Sequence, residues 1–411
     1  MAVSRGSIHH TILQDVIALG NSIIQPRSCS RPCTRSRKRA QSIIADYFQV
    51  KYSVLLPYAR TCFYALLKSL DLPHGSEVLM TPFNISPMLH IVRHLGLKPV
   101  FIDINLSDFG PNYDCLEAAL AAKPGCFLLT YLFGSIPDIQ LISHLCKQYQ
   151  VFLIEDISQG VGGVCDNQFI GTFGDAAIFS ASITKYVDGY NGAFLLTNHD
   201  DVRRGIVKFS ETLRTPSSSR IRSIIARTLI WNIALSRSVF NLLTFPLLSI
   251  LRSFARDSFD KLLGPSINAD FSKPLPSYYF EDISSIQVST IVLQLDRLKV
   301  LLELRKECAS RLFQALSPLG NIPLEASTPK IQSFVSSTFW QVAAFVGNTK
   351  EAQERLFPAG IETGITNLPD LASLCGVALV NAQSLKSQYI FIPLHPHLQA
   401  SDYRAVIKLL Q

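Results

Sequence analysis

Charge is scarce in this chain: Asp, Glu, Lys and Arg make up 17% of its 411 residues, low for a soluble enzyme. Apolar residues reach 48%, so burial of a core is not in question. The length suits two domains, or one large α/β domain with an appendage. No apolar run is long enough to span a bilayer. In the apolar segment 220–263 the longest charge-free run, residues 238–251, is about 14 residues against the roughly 20 a membrane helix needs, and Pro246 lies inside it. A disulfide framework is also missing. The nine cysteines are odd in number and scattered through apolar contexts, which fits a reducing compartment. Cys29 and Cys33 lack the second ligand pair or nearby histidine that a zinc site needs. Residues 1–25 lack the charged start, continuous apolar core and cleavage site of a secretory signal; residues 12–24 read as a short amphipathic helix. A cytoplasmic location is the expectation. Much of the net charge of +7 is local, in Arg27, Arg31, Arg35, Arg37, Lys38 and Arg39. Composition makes that stretch a flexible basic arm, and no nucleic-acid partner is expected from it.

What is present centres on residues 151–198. Residues 151–154 form an unbroken apolar run that stops at Glu155 and Asp156, as expected of a parallel strand buried on both faces. Its C-terminal end is where ligands sit in open α/β sheets. A second run, 176–179, ends at Ser180, with Lys185 five residues on, and a third spans 193–196. Pyridoxal phosphate asks for this set. A lysine amine bonds its aldehyde, an anion faces its pyridinium nitrogen, and hydroxyl and N–H donors hold its phosphate. On chemistry alone a second reading stays open, in which Asp156 caps a helix, Ser180 ends a strand and Lys185 is a solvated loop cation.

The stretch resembles the core of the DegT/DnrJ/StrS-type sugar aminotransferases, a family of fold-type I pyridoxal phosphate enzymes. The matching residues are Ile154-Glu155-Asp156-Ile157-Ser158-Gln159, Gly174-Asp175, Phe179-Ser180, Thr184-Lys185, Gly189-Tyr190-Asn191-Gly192 and Thr197-Asn198. The resemblance implies that Asp156 pairs with the pyridine nitrogen and that Gln159 lies near the ring hydroxyl. Ser180 then holds the phosphate and Lys185 joins the cofactor covalently. Relatives with histidine at the lysine position are dehydratases, and Lys185 argues against that branch. Thr61, opening a helix at 59–70, matches a threonine that meets the phosphate.

There are departures. Arg60 replaces a glycine, either gripping the phosphate or pointing away. Ile85 stands where relatives place an aromatic on the ring; Phe83 is the substitute, or simply core. Tyr131 replaces a turn histidine. Phe280 and Asp282 fall at asparagine and arginine positions of a loop that in relatives reaches the neighbouring subunit, and Asp282 there opposes a dianion. His395 and His397, in the family-like ending, read as loop residues.

The expected fold is α/β and fold-type I aminotransferase-like: a large, mostly parallel-sheet domain plus a smaller C-terminal α+β domain. The expected layout is a basic N-terminal arm (1–40), a cofactor-binding domain (41–215), an apolar, arginine-bearing helical insertion (216–273) and the C-terminal domain (274–411). The insertion is either packed against the body of the protein or makes peripheral membrane contact through 220–263. By resemblance the chain is a homodimeric transaminase moving an amino group from glutamate to a nucleotide-linked keto-sugar. The alternatives are a non-catalytic relative and a membrane-surface enzyme with a lipid-linked or non-sugar acceptor.

Overall fold

Strand residues that point alternately to two apolar layers organise the chain. The computed structural model describes residues 8–254, 270–316, 337–362, 364, 368–394 and 398–410. Its main strands are β1 (Tyr52–Leu56), β2 (Glu77–Met80), β3 (Lys98–Phe101), β4 (Cys126–Thr130) and β5 (Phe152–Asp156). After a two-stranded hairpin of β6 (Val164–Cys165) and β7 (Gln168–Phe169) come β8 (Ala176–Ser180) and β9 (Ala193–Thr197). Seven of them form one sheet in the order β1-β9-β8-β5-β4-β2-β3. From β3 to β8 neighbours run parallel; β9 is antiparallel to β8, and β1 to β9.

Because side chains alternate along a strand, the sheet buries both faces. Leu55, Leu79, Phe127, Leu153 and Phe194 face a layer built with α2 (Thr34–Phe48), α5 (Tyr113–Ala121) and α6 (Ile139–Tyr149). Val54, Met80, Leu128, Ile154 and Leu195 face α3 (Ala59–Ser69), α4 (Ser86–His94) and α7 (Asp200–Glu211). This is the α/β, mostly parallel architecture expected from the sequence.

The chain then makes α8 (Ser218–Leu235) and, after a bend, α9 (Phe245–Phe254). Next comes α10 (Ser285–Leu316), a helix of 32 residues. Its first half gives Ile291, Leu295 and Leu298 to the sheet's core. Its second half gives Cys308, Ala309 and Leu312 to a separate C-terminal core. That core includes Val342 of β10 (Val342–Phe345), Leu356 of α11 (Thr349–Leu356) and Ile390 of β11 (Tyr389–Ile392), with Tyr403 of α13 (Ala400–Leu410). Between α11 and β11 lies α12 (Val380–Gln388), and β10 pairs antiparallel with β11. His395 and His397 lie outside the described residues.

The basic stretch at 27–39 is not a free arm. It folds as a 3-10 turn, Pro26–Cys29, followed by α2. Asp282 is the reason: its fully buried carboxylate meets Arg31 Nε at 2.8 Å and Arg37 Nη2 at 2.5 Å. Composition reports the charges of that stretch but not the distant carboxylate that pairs with them.

Ahead of it, α1 (Ile12–Ile24) begins with a reciprocal cap between Thr11 and Gln14 and is fastened by a buried polar network. His10 Nδ1 meets Asp15 Oδ1 at 2.9 Å, and Nε2 meets the Asp188 carbonyl at 2.8 Å. The Tyr190 hydroxyl and Asn232 Nδ2 donate to Asp15 at 2.7 and 2.9 Å. Burial opposes charge on His10, but Asp15 and Asp188 outweigh it and hold its pKa above the ordinary imidazole value.

Removing both arginines (Arg31→Ala with Arg37→Ala) leaves the buried Asp282 carboxylate without a cation, with only the Ile283 N–H donating to it. A loss of about 3–5 kcal/mol is expected in denaturant unfolding. Adding Asp282→Asn to that double variant restores a large part of the loss.

Candidate active site

Asp156 is the last residue of β5, Thr130 of β4 and Ser180 of β8. The three strands are parallel neighbours, so their C-terminal ends collect these side chains at one edge of the sheet. Asp156 is buried, and its Oδ2 accepts from Asn84 Nδ2 at 3.0 Å. The same amide nitrogen donates to Thr130 Oγ1 at 2.9 Å. Asn84 Oδ1 accepts the Ile85 N–H at 2.7 Å, which turns the amide so that its NH2 faces the carboxylate. On the other side, Asp156 Oδ1 accepts the Ser158 N–H at 3.0 Å. The aspartate is thus held from both sides.

Lys185 lies in the loop between β8 and β9. The residue before it, Thr184, sits at φ 71°, a left-handed conformation that β-branched residues avoid. Such strain persists where surrounding contacts determine it. Here the Thr184 carbonyl accepts from Trp340 Nε1 at 3.4 Å, and the Lys185 N–H donates to the Ser182 carbonyl at 3.1 Å. The Lys185 ammonium rests 4.2 Å from the centroid of the Trp340 ring, a cation–π geometry. Lys185 is half-buried as a whole residue, yet the protein around its ammonium pushes its pKa down to about 8, against the opposing charge of Asp156. That charge also reaches Cys62, which places the start of α3 in the same neighbourhood.

Beyond Lys185, Tyr190 (φ 55°), Asn191 (φ 67°) and Gly192 (φ 101°) are three consecutive left-handed residues. Two of them carry side chains where the resembled pattern has Glu and Gly. Tyr190 is held in place by its hydrogen bond to Asp15 and by an edge contact with the His10 ring. The N-terminal helix therefore buttresses the lysine loop.

Asp156 and Ser180 end neighbouring strands, and Lys185 lies near enough to feel the Asp156 charge; the remaining residues are more committed to the protein. The Ser180 N–H donates to Ser158 Oγ at 3.1 Å, and its hydroxyl to Ser182 Oγ at 3.2 Å. Gln159 Oε1 accepts the Phe133 N–H at 2.7 Å, and its carbonyl accepts the Thr338 hydroxyl at 3.3 Å. The Leu132–Gly134 turn is thereby tied to the C-terminal region. Gly134 is required there: a Cβ would lie 2.3 Å from Thr338 Oγ1. Thr61 is buried in the first turn of α3, where its hydroxyl donates to the Tyr279 carbonyl at 2.8 Å. The Arg60 guanidinium lies between the Tyr58 and Tyr279 rings, 5.0 Å from each centroid, and donates to the Tyr279 hydroxyl at 3.3 Å.

The other departures also find partners within the chain. Tyr131 donates to Glu155 at 2.6 Å, a buried carboxylate that also gathers the N–H groups of Gly171, Phe173 and Gly174. Burial pushes the Glu155 pKa up, against these donors. Phe83 is core, packed with Ile104, Phe109 and Leu132, and Ile85 is half-buried beside Asn84. Phe280 packs edge-on against Tyr64, and Asp282 is turned inward to its arginines. Sequence reasoning missed Asn84, Ser158 and Trp340. Asn84 carried a signal, as the one amide in the apolar loop TPFNISPML. Trp340 carried none, because its contact with the lysine spans two distant parts of the chain.

Comparison with known proteins adds to this geometry. Residues 36–222 match the DegT/DnrJ/EryC1/StrS aminotransferase family. A pleiotropic regulatory protein of Geobacillus stearothermophilus is 27% identical over 166 residues, 40% of this chain and 45% of that protein. A GDP-perosamine synthase of Vibrio cholerae is 23% identical over 162 residues, 39% and 44% respectively. The chain thus spans less than half the length of the curated relatives it matches. Over the whole length the likeness is one of fold. A Helicobacter pylori aminotransferase involved in the biosynthesis of pseudoaminic acid superposes with a TM-score of 0.72 at 14% identity, covering 100% of this chain and 98% of that one. Residues 36–222, somewhat under half of the chain, carry the match to the DegT/DnrJ/EryC1/StrS aminotransferase family, and Asp156 and Lys185 lie within that stretch.

Proposed function

We propose that the protein is a pyridoxal phosphate-dependent aminotransferase that passes an amino group from glutamate to a nucleotide-linked keto-sugar. The observation that carries this reading is a strand-end carboxylate, Asp156, that Asn84 and the Ser158 N–H hold still, with the Lys185 ammonium over Trp340 in the adjoining loop; burial that lowers the lysine pKa to about 8 supports it. The acceptor class rests on relatives, one of which is named for a GDP-sugar product. A cytoplasmic homodimer is part of the same proposal.

The residues present fit the cofactor. Lys185 supplies the amine for its aldehyde, Asp156 the anion for its ring nitrogen, and Ser180 with the first turn of α3 the phosphate end. When bound, pyridoxal phosphate supplies an electron sink for charge developing at the substrate carbon. The protein does the rest. Lys185 Nζ, its pKa lowered to about 8, takes and returns a proton at that carbon. Asn84 keeps Asp156 oriented, and Trp340 shields one side of the ammonium from water. At the phosphate end, the Tyr279 carbonyl already accepts the Thr61 hydroxyl and the Tyr279 ring faces the Arg60 guanidinium. That observation favours a second reading, a relative that binds cofactor without turnover.

Purified protein mixed with pyridoxal phosphate is expected to gain an absorbance band near the visible edge that glutamate bleaches with release of the keto acid. Lys185→Ala abolishes both. A band indifferent to every amino donor would establish the second reading, and no band in wild type would remove both.

The lowered pKa makes a separate prediction. A lysine at its ordinary value of 10.5 is almost wholly protonated at pH 7, whereas one near 8 has about a tenth of its amine free. Aldehyde capture by Lys185 should therefore rise with a midpoint near pH 8. Because Asp156 pulls that pKa upward, Asp156→Asn should move the midpoint lower. A midpoint near 10 in wild type would contradict the burial argument.

A further inference from the structure

We propose that α1 and the bent pair α8–α9 form a docking surface for an anionic lipid bilayer, lying in the plane of the headgroups. One side of this unit is fixed to the protein. Ile221, Ile224 and Ile225 pack with Ala18 and Tyr190, and Phe240 and Leu248 pack against Phe357. Each of these segments also presents large apolar side chains to solvent, among them Leu13 and Ile24 of α1, Ile230 of α8, and Leu242, Leu243 and Leu247 beyond it. Leu242 is 82% exposed and Ile24 79%, an arrangement that monomeric soluble surfaces seldom carry in clusters. Among the described residues no single helix is long and apolar enough to cross a membrane, and Ser218–Leu235 and Arg237–Leu251 meet at a 65° bend. Helices anchored to the protein on part of their surface, apolar where exposed and sharply bent suit a pair lying on a membrane.

Charge selects the occupant. Between residues 212 and 256 every charged residue is an arginine. Arg220 is engaged by Glu281, while Arg227 is exposed. The acid of α1, Asp15, is buried in its network with His10. A second copy docking by the same face would bring arginines against arginines with no carboxylate from this stretch between them, since a two-fold interface sets a patch against itself. Anionic headgroups supply the missing negative charge while the acyl boundary takes the leucines.

The full chain should co-sediment with phosphatidylcholine vesicles containing roughly a third phosphatidylglycerol at least ~10-fold better than with phosphatidylcholine alone, and raised salt should weaken that binding. The exposed triple variant Leu242→Glu/Leu243→Glu/Leu247→Glu should lose vesicle binding with its circular dichroism and thermal midpoint unchanged. Wild-type protein that ignores anionic vesicles overturns the proposal. So does a triple variant that binds as well as wild type, which would reduce the effect to basic adsorption. A dimer in light scattering that the triple variant dissociates, without vesicle binding by wild type, would assign the face to a second copy instead.

Discussion

The site depends on placing one amine against one carboxylate at the edge of a sheet that is buried on both faces. Desolvation alone would leave Lys185 poorly suited to carry a positive charge, and Asp156 restores part of it. The balance leaves the amine with a pKa lowered to about 8. Both partners are immobilised by backbone geometry. Asp156 ends a strand locked between two parallel neighbours, and Lys185 follows a left-handed threonine pinned by Trp340. An amine on a loose loop would relax toward water and recover its ordinary pKa. Rigidity is therefore part of the chemistry.

Much of this was legible in the sequence, for physical reasons. Unbroken apolar runs ending in a polar residue mark buried parallel strands, and so β5 and β8 announced both their existence and the position of Asp156 and Ser180. The mostly parallel sheet followed from strands alternating with helices. Contacts across long stretches of chain were not legible. The arginines of 27–39 look like a free arm until Asp282 is seen beneath them. Thr61 and Arg60 read as phosphate ligands from the sequence, which does not show that Tyr279 also engages both. Local pattern reports what a residue can do, and tertiary packing decides which of its partners arrives first.

The N-terminal region changes how the lysine loop is supported. Where the resembled pattern has glutamate and glycine after the lysine, this chain has Tyr190 and Asn191 in the same left-handed backbone region a glycine would favour. Their conformational cost is met by the His10–Asp15–Asn232 network, which joins α1, the lysine loop and α8. The helices with the exposed apolar face are thus the helices that brace the loop carrying Lys185. Mechanical continuity between the two follows from shared side chains, with Asp15 as the common acceptor.

The central claim, that position 185 holds the reactive amine opposite Asp156, is tested most directly by borohydride reduction of the protein with pyridoxal phosphate, followed by peptide mass mapping. The expected result is a single reduced adduct on Lys185. Adducts spread over the exposed lysines, or an unmodified Lys185 peptide beside a fully folded protein, would contradict it.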